Sequence, residues 1–406
     1  MTPAPTPVSR GLSRGYLLNC VMLLWLAGIG LRLTVLAVPP VIPQIHADLH
    51  LTGTEVGILT GLPQVLFAGA AVAGALLIAR FGALRTLVIG LLINAVASAL
   101  RGVIVDVVPL YAATIVMAFG ISIMQPALPP LTRQWLPDRV GFATAVYSNG
   151  LLAGEILPAA LTIPLVLPLV DGSWRLAFVV WAVPTALIAV AVAALAPRAV
   201  QPNEDAAASG RRWWPDWRDR LIWRLGLMFG SITSMYFAAN AFIPDYLKEI
   251  DRPDLIGAAL TALNLGQLPA SLLLLALAGS LERRVWPYMA CGAVCLASVL
   301  GLVFAPGAWI IVPATVLGFT AGGAFVLMLA LPPLLSAPDD VHRVSAAMLT
   351  LAYGCAVIVP IISGLVWDMT GRGAFAFVPI GACAVVLMLL ARGLAFERRD
   401  SAGQTG

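Results

Sequence analysis

Long apolar blocks alternate with short polar connections along almost the whole chain. Each block is close to the roughly 20 residues that a helix needs to cross a bilayer. Because a bilayer offers the backbone no hydrogen bonds, a spanning segment must be a helix or part of a closed barrel. Barrel strands are short and alternate in polarity, and these blocks do neither. The pattern therefore predicts twelve transmembrane helices, at 17–44, 54–79, 86–105, 108–131, 141–168, 175–196, 221–247, 255–280, 286–305, 308–335, 344–367 and 374–395.

The composition agrees with a protein that lies mostly in lipid. Of its 406 residues, 60% are hydrophobic and 11% are charged, whereas soluble domains carry roughly 25% charged residues. We therefore predict an all-α membrane protein. The formal charge of +4 does not indicate a nucleic-acid partner, because the basic residues are scattered between the apolar blocks and form no stripe.

The basic residues also predict an orientation. If the N-terminus is cytoplasmic, most arginines lie in cytoplasmic segments, and few basic residues lie in the outer loops. Basic residues are enriched in the cytoplasmic loops of membrane proteins. We therefore expect a multi-pass protein of the inner membrane with both termini in the cytoplasm. The outer loops then hold Arg101, Arg175, Lys248, Arg252 and Arg372.

The chain repeats itself after about half its length. The sequence ALPPL occurs at 127–131 and again at 330–334, and the pair IP occurs at 42–43 and again at 243–244. Self-similarity at a fixed offset is the signature of an internal structural repeat. Two parallel six-helix repeats related by an axis along the membrane normal are typical of the major facilitator fold. The predicted divisions are an N-terminal half at 1–197, a cytoplasmic linker at 198–220 and a C-terminal half at 221–406.

Two charged residues lie deep inside predicted spans. Arg32 is about halfway along the first span, where an arginine costs at least ~2.5–3.5 kcal/mol and usually faces a cavity or a partner. Its planar fork of donors suits a carboxylate-like anion, although an ion pair that joins two helices is the alternative. Glu155 is a carboxylate at similar depth in the fifth span. It is a candidate proton carrier, a candidate resting partner for Arg32, or both.

Further polar or amphipathic side chains lie within the fourth, fifth, seventh, eighth and eleventh predicted spans. Facing lipid they would be costly, so most should point into the bundle. They are candidates for contact with a solute, although polar groups that join neighbouring helices are equally common. This set comprises Gln125, Tyr147, Asn149, Tyr236, Asn240, Asn264, Gln267 and Tyr353.

Several kinds of chemistry find no support in the sequence. There is no phosphate-binding loop of the GxxxxGK[ST] type, so ATP is not expected as the energy source. No Ser-His-Asp or metalloprotease motif is present, and we predict no enzyme activity and no cofactor. His46 and His50 are four residues apart, but without third and fourth ligands nearby they make a weak zinc site, and no metal is expected.

Three stretches of sequence resemble the cyanate/nitroimidazole transporter branch of the major facilitator superfamily. They are GLRLT at 30–34 with PVIPQI at 40–45 and LTGLP at 59–63, then GISIMQ at 120–125, then GSWR at 172–175 with WAVP at 181–184. The first includes the intramembrane arginine at the position the family has it. The resemblance implies secondary transport by alternating access, and known members of this branch handle small compounds such as cyanate or nitroimidazoles.

Residues and resemblance together predict a transporter of a small anionic organic solute, either proton-coupled or facilitative. The alternative is an exporter of small drugs or weakly polar aromatic metabolites such as nitroimidazoles. A membrane sensor that transports nothing is a third class, which the lack of an appended soluble domain disfavours. The expected partners are the solute, the lipid bilayer and protons, and the expected functional unit is a monomer.

Overall fold

The structure is a computed structural model that describes residues 14–69, 71–197, 217–270, 272–273, 281, 283–336 and 341–394. Within these residues the chain is helical and contains no strand. Most of the predicted linker, residues 198–216, lies outside the described residues. The division of the chain at 198–220 therefore stays a prediction.

The first half of the chain forms nine helices in the described residues. Short 3-10 segments at Pro39–Val41, Gln125–Ala127 and Pro137–Arg139 connect some of them, and a π-helical turn, Thr162–Val166, followed by Leu167–Leu169, extends the eighth. The helices are α1 (Arg14–Arg32), α2 (Ile42–Leu49), α3 (Gly53–Gly69), α4 (Ala71–Phe81), α5 (Ala83–Arg101), α6 (Val107–Met124), α7 (Leu128–Trp135), α8 (Val140–Leu161) and α9 (Trp174–Leu195).

The second half continues in the same manner, with 3-10 turns at Pro253–Leu255, Gly307–Ile310 and Gly373–Ala376. Prolines inside two of its long helices, Pro244 and Pro360, are where those helices can bend. The described helices are α10 (Arg220–Glu249), α11 (Ile256–Leu265), α12 (Val285–Phe304), α13 (Ile311–Leu335), α14 (Val341–Thr370) and α15 (Phe377–Ala391).

Each of the twelve predicted spans contains a helix. In the part of the chain that the structure describes, ten helical segments are long and apolar enough to cross a membrane. The other two predicted spans cover α3 with α4, which meet at position 70 outside the described residues, and α11, whose continuation is described only in part. The all-α architecture is confirmed.

Two details of the prediction are wrong. The first span was expected as one helix over 17–44, but α1 ends at Arg32, and the chain turns through 33–38 before it resumes as α2. The prolines at 39 and 40 lack the N–H groups that an uninterrupted helix would need. Arg101 was assigned to an outer loop, but it is the last residue of α5 and is fully buried.

Close contact between α1 and α8 determines which side chains meet. A Cβ atom on Gly154 would lie 2.5 Å from the main-chain oxygen of Ile29, and one on Gly150 would clash with the main-chain oxygen of Trp25. Only glycine allows such an approach of two backbones. Glu155 follows Gly154 directly, so this contact brings its carboxylate to the end of α1, where Arg32 lies.

The two halves are in close contact at one end of the bundle. In the predicted orientation this is the outer end. Here α3 of the first half packs along α14 of the second. A Cβ atom on Gly61 would lie 3.3 Å from the main-chain oxygen of Val357, and Gly53 and Gly364 are in still closer contact. The outer ends of the two halves are therefore packed against each other in this state.

Candidate functional site

Arg32 is buried at the end of α1, with 6% of its surface exposed. Its Cζ atom lies 5.2 Å from the ring centre of Phe67 and 5.7 Å from that of Phe237, distances at which a cation is attracted by an aromatic ring. Its Nε and Nη1 atoms are buried and make no hydrogen bond to the residues that the structure describes. A buried guanidinium with unused donors is a ready binding site for an anion.

Glu155 is the acidic neighbour of Arg32 and is 4% exposed. Its Oε1 atom lies 3.4 Å from Arg32 Nε, which is close enough for electrostatic attraction but too long for a good hydrogen bond. Its Oε2 atom accepts a hydrogen bond of 2.9 Å from Nε2 of Gln267 and lies 2.8 Å from the Tyr236 hydroxyl. Arg32 and Glu155, which were predicted to pair, are therefore in contact but share no hydrogen bond.

Three buried polar side chains of the second half continue this network. The Tyr236 hydroxyl lies 2.5 Å from Oδ1 of Asn264. Nδ2 of Asn264 donates to Oδ1 of Asn240 at 3.0 Å, and Nδ2 of Asn240 donates to the main-chain oxygen of Tyr236 at 3.0 Å. Four of the candidate residues, these three and Gln267, therefore join Glu155 in one cluster. Because Glu155 belongs to the first half, the cluster links the two halves.

The remaining candidates lie around or away from this cluster. Tyr353 is buried and packs edge-on against Phe67, with ring centres 5.6 Å apart, which makes it part of the wall near Arg32. Gln125 and Tyr147 are half-buried. Asn149 is exposed and accepts a hydrogen bond of 2.9 Å from Trp25, so its side chain is occupied outside the cluster. Contact of any of them with a solute stays a prediction.

Reasoning from the sequence missed three residues of this region. Phe67 and Phe237 flank the guanidinium, but apolar residues in an apolar span give no signal. Gln64, one helical turn before Phe67 on α3, is fully buried, and neither of its side-chain polar atoms has a partner among the described residues. The rule that selected the other polar residues inside spans would have found Gln64 as well.

Arg101 is a second buried arginine, and its Nε and Nη1 atoms, like those of Arg32, make no hydrogen bond to the described residues. Its Nη2 atom donates to the main-chain oxygen of Thr34 at 2.9 Å and to Ser98 at 3.1 Å, and Phe178 lies 4.4 Å from its Cζ atom. Thr34 lies where α1 has ended and its carbonyl groups lack helical partners. Arg101 therefore stabilises the break in α1, and it also lines a small cavity between this break and α10.

Three polar contacts, here named the outer latch, join the halves at their outer ends. Asp368 of α14 accepts hydrogen bonds from the main-chain N–H groups of Gly53 and Thr54 at 2.7 and 2.8 Å. Lys248 donates to the main-chain oxygen of Pro43 at 3.1 Å. His46 lies 2.8 Å from Asp245, and this hydrogen bond raises the pKa of the His46 imidazole.

His46 and His50, which were weighed as a weak zinc site, lie in different surroundings. His46 is engaged with Asp245 in the outer latch, and His50 ends α2 in a left-handed conformation with a φ of 50°. No group of three or more His, Cys, Asp or Glu side chains suited to a metal ion occurs in the part of the chain that the structure describes.

Comparisons with known proteins cover most of the chain. A family model described as the Major Facilitator Superfamily matches residues 24–360. The chain is 27% identical to the cyanate transport protein CynX of Escherichia coli over 91% of this chain and 95% of that protein. It is 25% identical to a 2-nitroimidazole transporter of the same organism, over 89% of this chain and 90% of that protein.

Among solved structures, the fold matches a bacterial homolog of the human lysosomal transporter Spinster in an inward-facing conformation. The TM-score is 0.73 at 14% identity, and the match covers 94% of this chain and 96% of that one. A D-xylose-proton symporter gives a TM-score of 0.73 at 12% identity, over 93% and 97% of the two chains. At these identities the likeness concerns the fold alone.

Proposed function

Because this chain belongs to the major facilitator superfamily, we propose that it is a secondary transporter that moves a small anionic organic solute across the inner membrane by alternating access. The single observation that carries the proposal is the buried guanidinium of Arg32. Two of its donors are unused by the described residues. Because these donors are buried without hydrogen-bond partners, an anion that enters the bundle gains both charge attraction and hydrogen bonds there.

The surroundings of Arg32 support a small and flat solute. Phe67 and Phe237 lie near the guanidinium, and Tyr353 packs against Phe67. Aromatic rings beside the guanidinium offer flat apolar surfaces on which a planar solute can stack. The two Escherichia coli relatives are named for cyanate and for 2-nitroimidazole. Both names are compatible with solutes of this shape, and only cyanate is an anion.

The same rings support the alternative, an exporter of weakly polar aromatic compounds such as nitroimidazoles. In that case the aromatic wall supplies most of the binding energy, and Arg32 contributes only a hydrogen bond to a nitro group. The two proposals differ in how strongly binding depends on the charge of the solute. They also differ in direction, since the first allows import and the second requires export.

Coupling to protons is proposed through Glu155. It is a buried carboxylate in contact with Arg32 and bonded to side chains of the second half. A bound anion and an ionised Glu155 would compete for the guanidinium of Arg32, so the anion and a proton on Glu155 favour each other's binding. Proton and solute would then move together in one step, without a separate coupling site.

The outer latch supports the alternating-access part of the proposal. Contacts of Asp368, Lys248 and His46 across the halves close the outer end in this state, and they must break when the outer end opens. In the proposed orientation both termini are cytoplasmic, and one chain is proposed to suffice for transport, since both halves of the cluster come from the same chain.

Uptake into proteoliposomes tests the proposal, with radiolabelled cyanate and 2-nitroimidazole as probes. The parent should accumulate cyanate, and excess acetate should compete. Arg32→Lys should weaken binding roughly tenfold or more, because a hydrogen bond to a charged group is worth about 1.5–3 kcal/mol and lysine lacks the planar fork. Arg133→Lys, at an exposed position of α7, is the matched control and should behave as the parent.

Three outcomes would contradict parts of this proposal. Normal cyanate affinity in Arg32→Lys removes the anion-binding role. Competition by nitroimidazole but not by acetate favours the exporter. No flux of either probe, with correctly inserted protein, leaves the solute class without support.

A further inference from the structure

The hydrogen bonds around Tyr236 need one more proton than the tyrosine can supply. Its hydroxyl oxygen lies 2.5 Å from Oδ1 of Asn264 and 2.8 Å from Oε2 of Glu155. Two oxygen atoms at such distances have a proton between them. A tyrosine hydroxyl carries a single proton, so one of the two contacts requires a proton from elsewhere.

The orientation of the Asn264 amide is fixed by its other contacts. Of the two terminal atoms of this amide, the one that does not face Tyr236 lies 2.8 Å from the main-chain oxygen of Leu260. A main-chain carbonyl can only accept a hydrogen bond, so this atom must be the nitrogen. The same nitrogen donates to Asn240, whose own amide is oriented by the main-chain oxygen of Tyr236. Asn264 therefore presents its oxygen, an acceptor, to the Tyr236 hydroxyl.

It follows that Tyr236 donates its proton to Asn264. The proton in the second contact must then come from the carboxyl group. We propose that Glu155 is the neutral carboxylic acid in this state, with its proton on Oε2 and donated to the Tyr236 oxygen, and that Tyr236 and Asn264 are positioning residues that retain it. This inference adds the protonation state of Glu155 to the proposed proton coupling, and its role in transport rests on that coupling.

The other groups that face Glu155 are compatible with a neutral acid. Gln267 donates to Oε2 from its amide nitrogen, which a protonated oxygen can still accept. Arg32 on α1 is the one cation in contact with it among the described residues, and its Nε lies 3.4 Å from Oε1 without a hydrogen bond. A neutral Glu155 leaves the charge of Arg32 uncompensated, so this state has the higher affinity for an anion.

Loss of the proton has a defined cost in this arrangement. The Tyr236 hydroxyl must then turn from Asn264 to the Glu155 carboxylate. Asn264 Oδ1 is left buried beside another oxygen with no proton between them, and an unsatisfied buried acceptor is unfavourable. Asn264 thus favours the neutral form of Glu155 without touching it. Release of the proton is easiest when the halves separate and the tyrosine leaves the carboxylate.

Infrared difference spectroscopy tests the proposal in lipid vesicles and needs no solute. The spectrum of the parent minus that of Glu155→Gln should show the carbonyl stretch of a protonated carboxyl group at neutral pH, and this band should vanish at a higher pH that defines its midpoint. Absence of the band at neutral pH would overturn the proposal. The result is independent of flux assays, so failure of the proposed solute class would leave it unaffected.

The variant Asn264→Leu tests whether Asn264 positions the proton of Tyr236 or only supports the fold. It frees the Tyr236 hydroxyl to donate to an ionised Glu155, so the midpoint should fall by about one pH unit or more, given the ordinary strength of a hydrogen bond. If this variant folds poorly, Tyr236→Phe, which keeps the ring packed against Phe237, should lower the midpoint as well. Tyr246→Phe removes a hydrogen bond of the same helix to Val303 and is the control. A midpoint equal to that of the control in the folded variants would refute the positioning role.

Discussion

We expect Asp368→Ala to shift the protein towards a form whose outer end is open. In this structure Asp368 of α14 accepts hydrogen bonds from the first N–H groups of α3, at Gly53 and Thr54, and from the Thr54 hydroxyl at 2.5 Å. The next N–H, of Glu55, donates to the hydroxyl of Thr52, the residue just before α3 in the same half. The start of α3 is therefore capped partly by the other half of the protein, and this cap is lost when the halves part.

The size of the effect follows from these contacts. Loss of a helix cap costs about 0.5–2 kcal/mol, and a carboxylate at a helix start adds about 0.3–1 kcal/mol through the helix dipole. Asp368 is exposed, so water weakens the charge term. A net value of about 1–2 kcal/mol corresponds to a roughly 5- to 30-fold rise in the ratio of open to closed protein.

The labelling rate of a cysteine behind the outer latch measures this ratio. Ala241 is fully buried and lines the small cavity beside Asn240. Ala241→Cys, in a background whose five native cysteines are replaced by serine, should react slowly with an impermeant maleimide from outside. When opening is fast compared with labelling, the rate is proportional to the open population, so Asp368→Ala should accelerate it by the same factor.

Asp254→Ala is the matched control. Asp254 is also an exposed carboxylate at the outer end, but it pairs with Arg252 of its own half, at 2.9 and 3.0 Å. It should leave the labelling rate unchanged. Equal rates in Asp368→Ala and Asp254→Ala would refute the idea that the cap holds the outer end closed. Faster labelling in both would show that the charge alone matters.

Further outcomes can be checked with the same material. Glu155→Gln, which mimics the protonated acid, should keep counterflow exchange and lose acceleration by an inward proton gradient; a parental response would show that the proton is carried elsewhere. Since Asp245 raises the pKa of His46 in the closed state, their pairing is fully present below the ordinary histidine pKa of about 6.5 and is lost as pH rises through the raised value. Labelling of Ala241→Cys should therefore speed up with rising pH by more than the ionisation of the thiol itself causes, and His46→Gln should remove this excess. Gln64→Leu, which keeps the volume of the side chain, should weaken cyanate binding several-fold without lowering thermal stability, because the buried amide has no partner to lose among the described residues. Cysteines introduced at 46–53 should label from outside intact cells, and labelling only after permeabilisation would reverse the proposed orientation.

Much of the fold could be predicted from the sequence because lipid restricts the backbone so strongly. The twelve apolar blocks all contain helices, since no other open structure satisfies the backbone in a bilayer. The break after Arg32 was missed, although Pro39 and Pro40 indicated it, because the hydropathy of a segment does not show whether its helix is interrupted. Arg101 was misassigned to a loop because a charged residue at the end of an apolar block resembles a loop residue.

Only part of the candidate cluster could be predicted from the sequence. Polar residues inside spans identified Glu155, Tyr236, Asn264 and Gln267, because burial of a polar group requires a partner. Which partner each one takes depends on how the helices cross, and that is decided by backbone contacts such as the one at Gly154. Nothing in the local sequence shows that Asn149 instead meets Trp25.

The glycine contact between α1 and α8 has a mechanical consequence. Arg32 and Glu155 are carried by two helices locked backbone to backbone within one half, so a rigid rotation of that half leaves their separation unchanged. Tyr236 and Gln267 are carried by the other half, and rotation pulls them away. If the halves rock as rigid bodies, a movement spread over the whole molecule is converted into the making and breaking of two bonds at one oxygen atom, Oε2 of Glu155.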